Sequence, residues 1–289
     1  MIVKTNGNDL IISGVKDFDV THIFECGQCF RWDKEDDGSY TGIALGKALN
    51  ISFKENEVLM KNTLQEDFEL LWKNYFDFDT DYSQIKTVLS SDETVKKAIS
   101  YGNGIRILNQ DLWECIISFI ISANNNIPRI KGIVKRFCEN FGKKITYLGS
   151  EFYTFPSPEE LLGITVSDLA PLRAGFRDKY IVDAVNKVNS GDVCLDTVIN
   201  SDINTARNEL LKIKGVGRKV ADCVLLFGAG KRASFPVDVW VKRVMAELYA
   251  EEIKDGDIFA FAENKFGENA GIAQQYLFYY MREKGEEKK

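Results

Sequence analysis

Lys219 and Cys223 stand four residues apart in the stretch GVGRKVADCVLLF. On a helix that spacing puts both on one face. Gly215 and Gly217, just before, permit positive φ and close approach of another backbone. A helix that starts there points its first amides outward, at the positive end of its dipole. An anion such as a phosphate fits that end, and Arg218 adds charge. Two turn glycines in a plain helical hairpin account for the pattern equally well. A lysine in the first helical turn beside Arg218 feels two positive influences, and both favour the neutral, nucleophilic amine. A solvated surface charge is its ordinary alternative.

Downstream lies SFPVDVWVKRVM. Pro236 stiffens the entry, and Asp238 sits where the next helix begins. It can cap that helix. It can also face a cationic intermediate formed at the lysine, and the two roles are compatible.

Composition narrows the chemistry. The 289 residues contain one histidine, His22. Two-histidine metal sites are therefore out, and a Ser/His/Asp triad would have to use His22. Cys26 and Cys29 form a C-x-x-C with no second pair, so a zinc site would be incomplete and buried thiols are the expectation. No cysteine follows Cys223, which leaves no C-terminal four-cysteine iron–sulfur cluster to expect. The start lacks the long apolar core of a signal peptide, and no apolar run has membrane-spanning length. A cytoplasmic location without membrane contact is expected.

The net charge of −6 argues against a nucleic-acid ligand only on average. Residues 1–98 carry 11 basic and 18 acidic side chains, so the remainder is slightly positive. Arg129 to Lys144 holds six basic residues and one acidic, and Arg207 to Arg243 nine and three. Such local clusters set a phosphate footprint.

The elements that must position these residues change character along the chain. LIISGV, CFRW, YTGIAL, ALNISFK and EVLMK are strand-like runs with a turn signal at DDGS, and predict an antiparallel sheet. From LQEDFELLWKNYF onward, helical spacing dominates to the end, including SPEELLG. The chain reads as α+β: an N-terminal domain over 1–98 with an antiparallel sheet, then a larger helical domain over 99–289.

The hairpin KIKGVGRKVADC, followed by a loop and PVD, resembles the helix-hairpin-helix, Gly/Pro-Asp superfamily of DNA base-excision glycosylases. Four further segments resemble the 8-oxoguanine DNA glycosylase family within it: GQCFRW (27–32), SANNNIPRI (122–130), LRAGFRDKYI (172–181) and GIAQQYLF (271–278). They occur in family order across nearly the whole chain. The resemblance implies a bifunctional DNA glycosylase and abasic-site lyase for base-excision repair, acting on duplex DNA with 8-oxoguanine opposite cytosine. It implies no cofactor for the chemistry. We expect a monomer of prokaryotic type, at work on the nucleoid.

Residue by residue, the resemblance makes Lys219 the nucleophile that attacks C1′ of a flipped nucleotide, with Asp238 stabilising oxocarbenium-like charge. The Gly27 carbonyl would accept the N7–H that oxidised guanine carries and guanine lacks. Gln274 would bond the Watson–Crick edge, and Phe278 and Cys223 would sandwich the ring. Asn124 would fill the vacated duplex, and Arg129 and Arg177 would read the orphaned cytosine. Gly215 and Gly217 would hold a phosphate. The carbonyls of Leu211, Ile213 and Val216 would hold a structural monovalent or divalent cation.

Three positions depart from the family. Phe176 stands where relatives usually carry tyrosine, so the wedge loses a hydroxyl. Trp240 replaces a histidine near the phosphate and can donate one hydrogen bond without charge. Lys214 replaces the hairpin proline, and a looser turn is expected. A glycosylase for another purine lesion and a helix-hairpin-helix module that only binds DNA are the competing readings.

Overall fold

The computed structural model describes residues 1–253 and 257–286. Its first part is an antiparallel sheet of β1 (Ile2–Asn6), β2 (Asp9–Ser13), β3 (Trp32–Lys34), β4 (Tyr40–Ala44), β5 (Lys47–Lys54) and β6 (Glu57–Lys61), in spatial order β1-β2-β6-β5-β4-β3. Alternation sets the register. β2 buries Leu10 and Ile12, β6 buries Val58 and Met60, and Leu10 pairs with Met60. The turn at DDGS joins β3 to β4, with Gly38 at φ +82°.

Two elements here were not anticipated. One is β1. The other is helix α1 (Val20–Glu25), capped by Asp19, whose side chain accepts the His22 N–H. CFRW contributes only Trp32 to a strand.

Helices follow. α2 (Gln65–Asp67) and α3 (Lys73–Tyr75) flank a π-helical turn, Phe68–Trp72. Then come α4 (Tyr82–Leu89), α5 (Glu93–Tyr101), α6 (Leu112–Ser122), α7 (Ile127–Phe141), α8 (Asp178–Ser190), α9 (Leu195–Asn200), α10 (Ile203–Leu211), α11 (Arg218–Gly228), α12 (Val239–Leu248), α13 (Ile258–Phe266) and α14 (Ala270–Glu286). Among the described residues, no helix is long and apolar enough to cross a membrane.

The helical pattern is broken once. β7 (Lys144–Tyr147) and β8 (Ser150–Tyr153) form a hairpin whose turn residues, Leu148 and Gly149, both have positive φ, as a type I′ turn requires. SPEELLG gives only a 3₁₀ turn, Glu159–Leu161. The hairpin docks on the sheet. The Tyr147 hydroxyl accepts the Asn50 N–H at 2.9 Å. Arg31, entering from the sheet side, donates to the Tyr153 carbonyl and pairs with Glu114 at 3.1 Å.

Two apolar cores result. One lies under the sheet and takes in Trp32, Phe68, Trp72, Phe76 and Leu108. The other begins with Cys26 and Phe30, resumes at Tyr82 and fills the helical part. Its centre is α6 against α11, where Ile116, Ile117, Ile120 and Ile121 meet Val224, Leu225 and Leu226, all sealed from solvent. Each such burial contributes roughly 1.5–3 kcal/mol. The helix that carries Lys219 is thereby held rigidly along its inner face.

Candidate active site

α11 begins differently from most of its neighbours. Asp or Asn side chains cap α1, α4, α5, α6, α7, α10, α12 and α13. The cap of α11 is Gly217, which offers no side-chain bond to the first amides. A methyl group on Gly217 would meet nothing within 4 Å. Among the described residues, no side chain caps the amides at this helix start, and the open space at Gly217 leaves them approachable from outside, as an anion site needs.

The turn before it is pinned. Gly215 has φ +82°. Lys214 donates its N–H to Asp183 Oδ2 at 2.7 Å, and its ammonium lies 3.6 Å from the other oxygen. Lys187 pairs with the same carboxylate at 3.0 Å. The expected loosening therefore does not occur, because Lys214 makes a backbone bond that proline cannot. Burial works upward on Asp183, but the Lys214 N–H and the two ammonium groups outweigh it and hold the carboxyl below its ordinary range.

Arg218 is the ambiguous member of the hairpin, and the structure gives it a place. Its guanidinium lies over the Phe259 ring and 3.6 Å from Asp222 Oδ2. Asp222 is buried, receives Arg207 Nε at 2.7 Å and accepts the Ser234 hydroxyl. It therefore joins α10 and α11 to the loop that leads to Asp238. Burial raises its pKa, against the pull of Arg207 and Arg218. The sequence reading missed Asp222. A charged residue inside the apolar run VADCVLLF was the available signal.

Lys219 opens α11, and Asp238 caps the start of α12. The Lys219 ammonium lies 5.6 Å from the centre of the Phe119 ring, and the buried Cys223 thiol follows one turn further along α11. Burial pushes that thiol up. The Lys219 charge opposes this, and Asp238 and Asp222 add to it. The net shift is upward, so Cys223 is a neutral contact surface at neutral pH. Asp238 caps α12, accepting the Val241 N–H at 2.7 Å through Oδ1. Its Oδ2 bonds nothing among the described residues.

The N-terminal part reaches Phe119 through Phe30 and the last helix through Gly27. Phe30 meets Phe119 edge-on at 5.6 Å, and Phe119 stacks on Phe227 of α11 at 5.5 Å. Gly27 has φ +82°, and a methyl group there would sit 3.6 Å from Phe278 Cε1. Gln274 precedes Phe278 by one helical turn on α14 and is buried. The loop of Gly27 is fixed by its neighbour Gln28, which sequence reasoning also missed. Gln28 is fully buried, donates to the carbonyls of Ile23 and Arg106 at 2.9 and 2.8 Å, and accepts the Leu108 N–H at 2.9 Å.

The expected DNA-reading residues divide. Asn124 is exposed at φ +52°, and Asn126 caps α7 through the Arg129 N–H. The Arg129 guanidinium is exposed, with no ion pair among the described residues. Arg177 is otherwise. It is only 2% exposed and donates to the carbonyls of Ala123, Asn124 and Ala174. In this arrangement it braces the Asn124 loop and presents no free fork to a base. Burial and the neighbouring Arg129 both lower its pKa. Phe176 is half exposed, under the Arg177 guanidinium at 4.4 Å, and edge-on to Tyr180 at 5.9 Å. Trp240 is 57% exposed and stacks with Arg243.

The carbonyls of Leu211, Ile213 and Val216 are the cation ligands expected from the family resemblance. They are neutral oxygens, and Ile213 O also accepts the Val216 N–H at 3.1 Å. No cluster of three His, Cys, Asp or Glu side chains able to hold a metal occurs among the described residues. His22 accepts the Gly104 N–H and packs on Tyr279, and burial lowers its pKa. Cys26 and Cys29 are both buried, with the Cys26 thiol pushed up to about 12 by burial. They serve packing in two different cores.

Comparison with known proteins finds similar sequences and similar folds. The sequence model for the 8-oxoguanine DNA glycosylase N-terminal domain matches residues 10–116. That for the HhH-GPD superfamily of base excision DNA repair proteins matches residues 117–265. A probable N-glycosylase/DNA lyase of Methanothermobacter thermautotrophicus is 30% identical over 246 residues, covering 78% of this chain and 77% of that protein. The structure of MBOgg1, in complex with a low-affinity DNA ligand, is 47% identical and superposes with a TM-score of 0.95 over 98% of this chain and 99% of that one. The Clostridium acetobutylicum 8-oxoguanine glycosylase/lyase, bound to DNA with cytosine opposite 8-oxoguanine, is 42% identical with a TM-score of 0.95 over 99% of each chain.

Proposed function

Since the chain belongs to the 8-oxoguanine DNA glycosylase family, we propose that it excises 8-oxoguanine paired with cytosine from duplex DNA and cleaves the strand at the site left behind. The observation that carries this is Lys219 at the start of α11, one turn before the buried Cys223, with Asp238 beginning the next long helix, in a chain whose fold superposes on 8-oxoguanine glycosylases.

The target base must leave the stack to reach Lys219. Cys223 and Phe278 then hold its two faces. The Gly27 carbonyl accepts the N7–H of 8-oxoguanine, where guanine would present an acceptor. A buried carbonyl left facing that acceptor costs about 1–3 kcal/mol. Lys219 Nζ bonds to C1′ as the glycosidic bond breaks and the base departs with its electron pair. Asp238, anchored through Oδ1, keeps Oδ2 for the positive charge that develops on the sugar. The nitrogen gives one proton to the departed base anion and the other to O4′ as the C1′–O4′ bond opens, which leaves the C1′=N Schiff base. Loss of a C2′ proton to water then expels the 3′ phosphate with its electron pair by β-elimination.

Around this centre, the amides of α11 receive a phosphate. The carbonyls of Leu211, Ile213 and Val216 would hold a monovalent or divalent cation, which would offset the charge of that phosphate. Arg129 and Asn124 face the opposite strand, and Phe176 wedges the bend. The groups named all belong to one copy of the chain, so the proposed chemistry calls on no second copy.

Borohydride trapping on duplex carrying 8-oxoguanine opposite cytosine tests the proposal. A covalent adduct is expected with the wild type and none with Lys219→Gln. Absence of wild-type trapping would sink it. Release of a different base from a panel of lesion duplexes would correct the substrate.

A further inference from the structure

Gly27 and Phe278 face each other from distant parts of the chain, one in the N-terminal part and one on α14. A run of hydrogen bonds leads from one to the other through Asp77. Beside Gly27, Gln28 Nε2 donates to the Arg106 carbonyl at 2.8 Å. The buried Arg106 donates through Nη1 to the Asp77 carbonyl at 2.6 Å. The Asp77 carboxylate receives Arg232 Nη2 at 2.6 Å. The Arg232 carbonyl accepts the Gly271 N–H at 2.8 Å, one turn before Gln274 on α14.

The junction is tightly built. Asp77 is 7% exposed, and its carboxylate also accepts the Thr80 and Tyr82 hydroxyls at 2.7 and 3.0 Å. Arg232 Nη2 reaches Thr80 Oγ1 at 2.8 Å as well. Gly271 has no room to drift, since a methyl group on it would lie 2.5 Å from Leu226 Cδ1 and from Ser234 O. A shift of Arg232 is therefore passed to the start of α14. Tyr276 and Arg282 also tie α14 to segments before α6, by donating to the carbonyls of Ile105 and Glu25. Both follow Gln274 in the helix, so Arg232 holds the end that they leave free.

We propose that the ion pair of Asp77 and Arg232 is a positioning device that sets the distance between Gly27 and the Gln274 face of α14, and so the fit of the flipped base. The inference rests on the function proposed above. A pocket that reads a base from two sides needs both sides within hydrogen-bond reach at once. A misplacement of about 1 Å can cost ~10²-fold in rate. A charge-assisted bond is shorter and stronger than a neutral one, which suits it to fix a spacing. The path of the loop to Asp238 has its own anchors. Lys231 Nζ donates to the carbonyls of Ile199 and Ser201, and the Ser234 hydroxyl to that of Asp222. The base pocket and the catalytic pair are thus held by separate contacts.

That separation gives the test. Single-turnover excision of 8-oxoguanine at saturating duplex, cleavage at a preformed abasic site and melting temperature would be measured for wild type, Arg232→Met, Gln274→Ala and the double variant. Methionine keeps an apolar stem and removes the charge. Asp77→Asn keeps an acceptor, tolerates the φ of +54° and removes the charge from the other side. It serves the same test, with a smaller loss, should Arg232→Met fold poorly.

Excision by Arg232→Met should fall about tenfold. Abasic-site cleavage, which needs Lys219 but no base, should stay within about twofold. In the Gln274→Ala background the loss of excision should shrink to about threefold or less, because the group being positioned is gone. A lowered melting temperature with an unchanged ratio of excision to abasic-site cleavage would make the pair a structural brace and overturn the inference. A parallel loss of both activities, or an undiminished loss in the Gln274→Ala background, would overturn it too. Wild type that cleaves abasic sites but leaves 8-oxoguanine in place would instead remove the function on which it rests.

Discussion

The backbone of Gly215 lies so close to the Tyr180 ring that a methyl group on it would sit 2.4 Å from Cδ2. Tyr180 in turn meets Phe176 edge-on at 5.9 Å. The hairpin is thus seated directly on the segment that carries Phe176. Gly217, two residues on, has open space around it and φ of −97°, which any residue adopts. The two glycines should therefore fail differently. Gly215→Ala combines positive φ with a clash and should cost roughly 2–4 kcal/mol of stability. Gly217→Ala should cost less than about 1 kcal/mol, as a change of N-cap residue. It should still weaken binding to duplex DNA, because its methyl group stands where the phosphate approaches. Thermal denaturation beside DNA titration separates the two. Equal stability losses would contradict this account.

Asp238 has two duties that one substitution can part. Asn is as good an N-cap as Asp. Asp238→Asn should therefore keep the Val241 N–H bond and melt within a degree or two of wild type. It removes the charge that faces the developing sugar cation. Excision should drop by about 10²–10³, the scale seen when one preorganised electrostatic group is lost. Retained excision by a well-folded variant would leave Asp238 as a cap alone.

Arg129 and Arg177 look alike in sequence and should behave oppositely. Arg129 is exposed, so Arg129→Ala should leave stability within about 0.5 kcal/mol. The preference for cytosine opposite the lesion should relax by about 1–3 kcal/mol, one base contact. Arg177 holds three carbonyls from a buried position. Arg177→Ala should lose roughly 2–4 kcal/mol and loosen the Asn124 loop. Melting curves and excision opposite each of the four bases check both. A destabilised Arg129→Ala would reverse the assignment.

What was legible in the sequence was local. Gly215, Gly217, Lys219 and Cys223 fall within nine residues, and helical spacing alone aligns the last two. Asp238 was readable as a cap because the pattern after it is plainly helical. The strands β2, β4, β5 and β6 followed from alternation. The hairpin of β7 and β8 did not, since four-residue strands carry little pattern and its type I′ turn uses Leu148 where Asn is the usual signal. Contacts that close over long stretches of chain were equally hidden. Gly27 against Phe278 was reached only through the family resemblance, and Arg31 against Glu114 exists only once the two cores are assembled. The burial of Arg177 was hidden for the same reason. Its partners are backbone carbonyls, which every residue possesses and no sequence pattern marks.

Asp183 makes the hairpin sensitive to acid. Its folded pKa lies below the ordinary carboxylate value, because the Lys214 N–H and the Lys187 and Lys214 ammonium groups prefer it charged despite burial. A depressed folded pKa means that the unfolded chain takes up the proton first. The stabilisation is therefore fully present above the unfolded value, about 3.9, and is lost as pH falls through it toward the lower folded value. Protonation also weakens the bond that holds the Lys214 N–H, so the anion-binding turn loosens together with the fold. Asp183→Asn keeps an acceptor for that N–H but cannot titrate. Its melting temperature should be lower than wild type near neutrality and should fall less steeply between about pH 5 and pH 3. Parallel acid profiles for the two proteins would show that Asp183 contributes nothing to the acid limb.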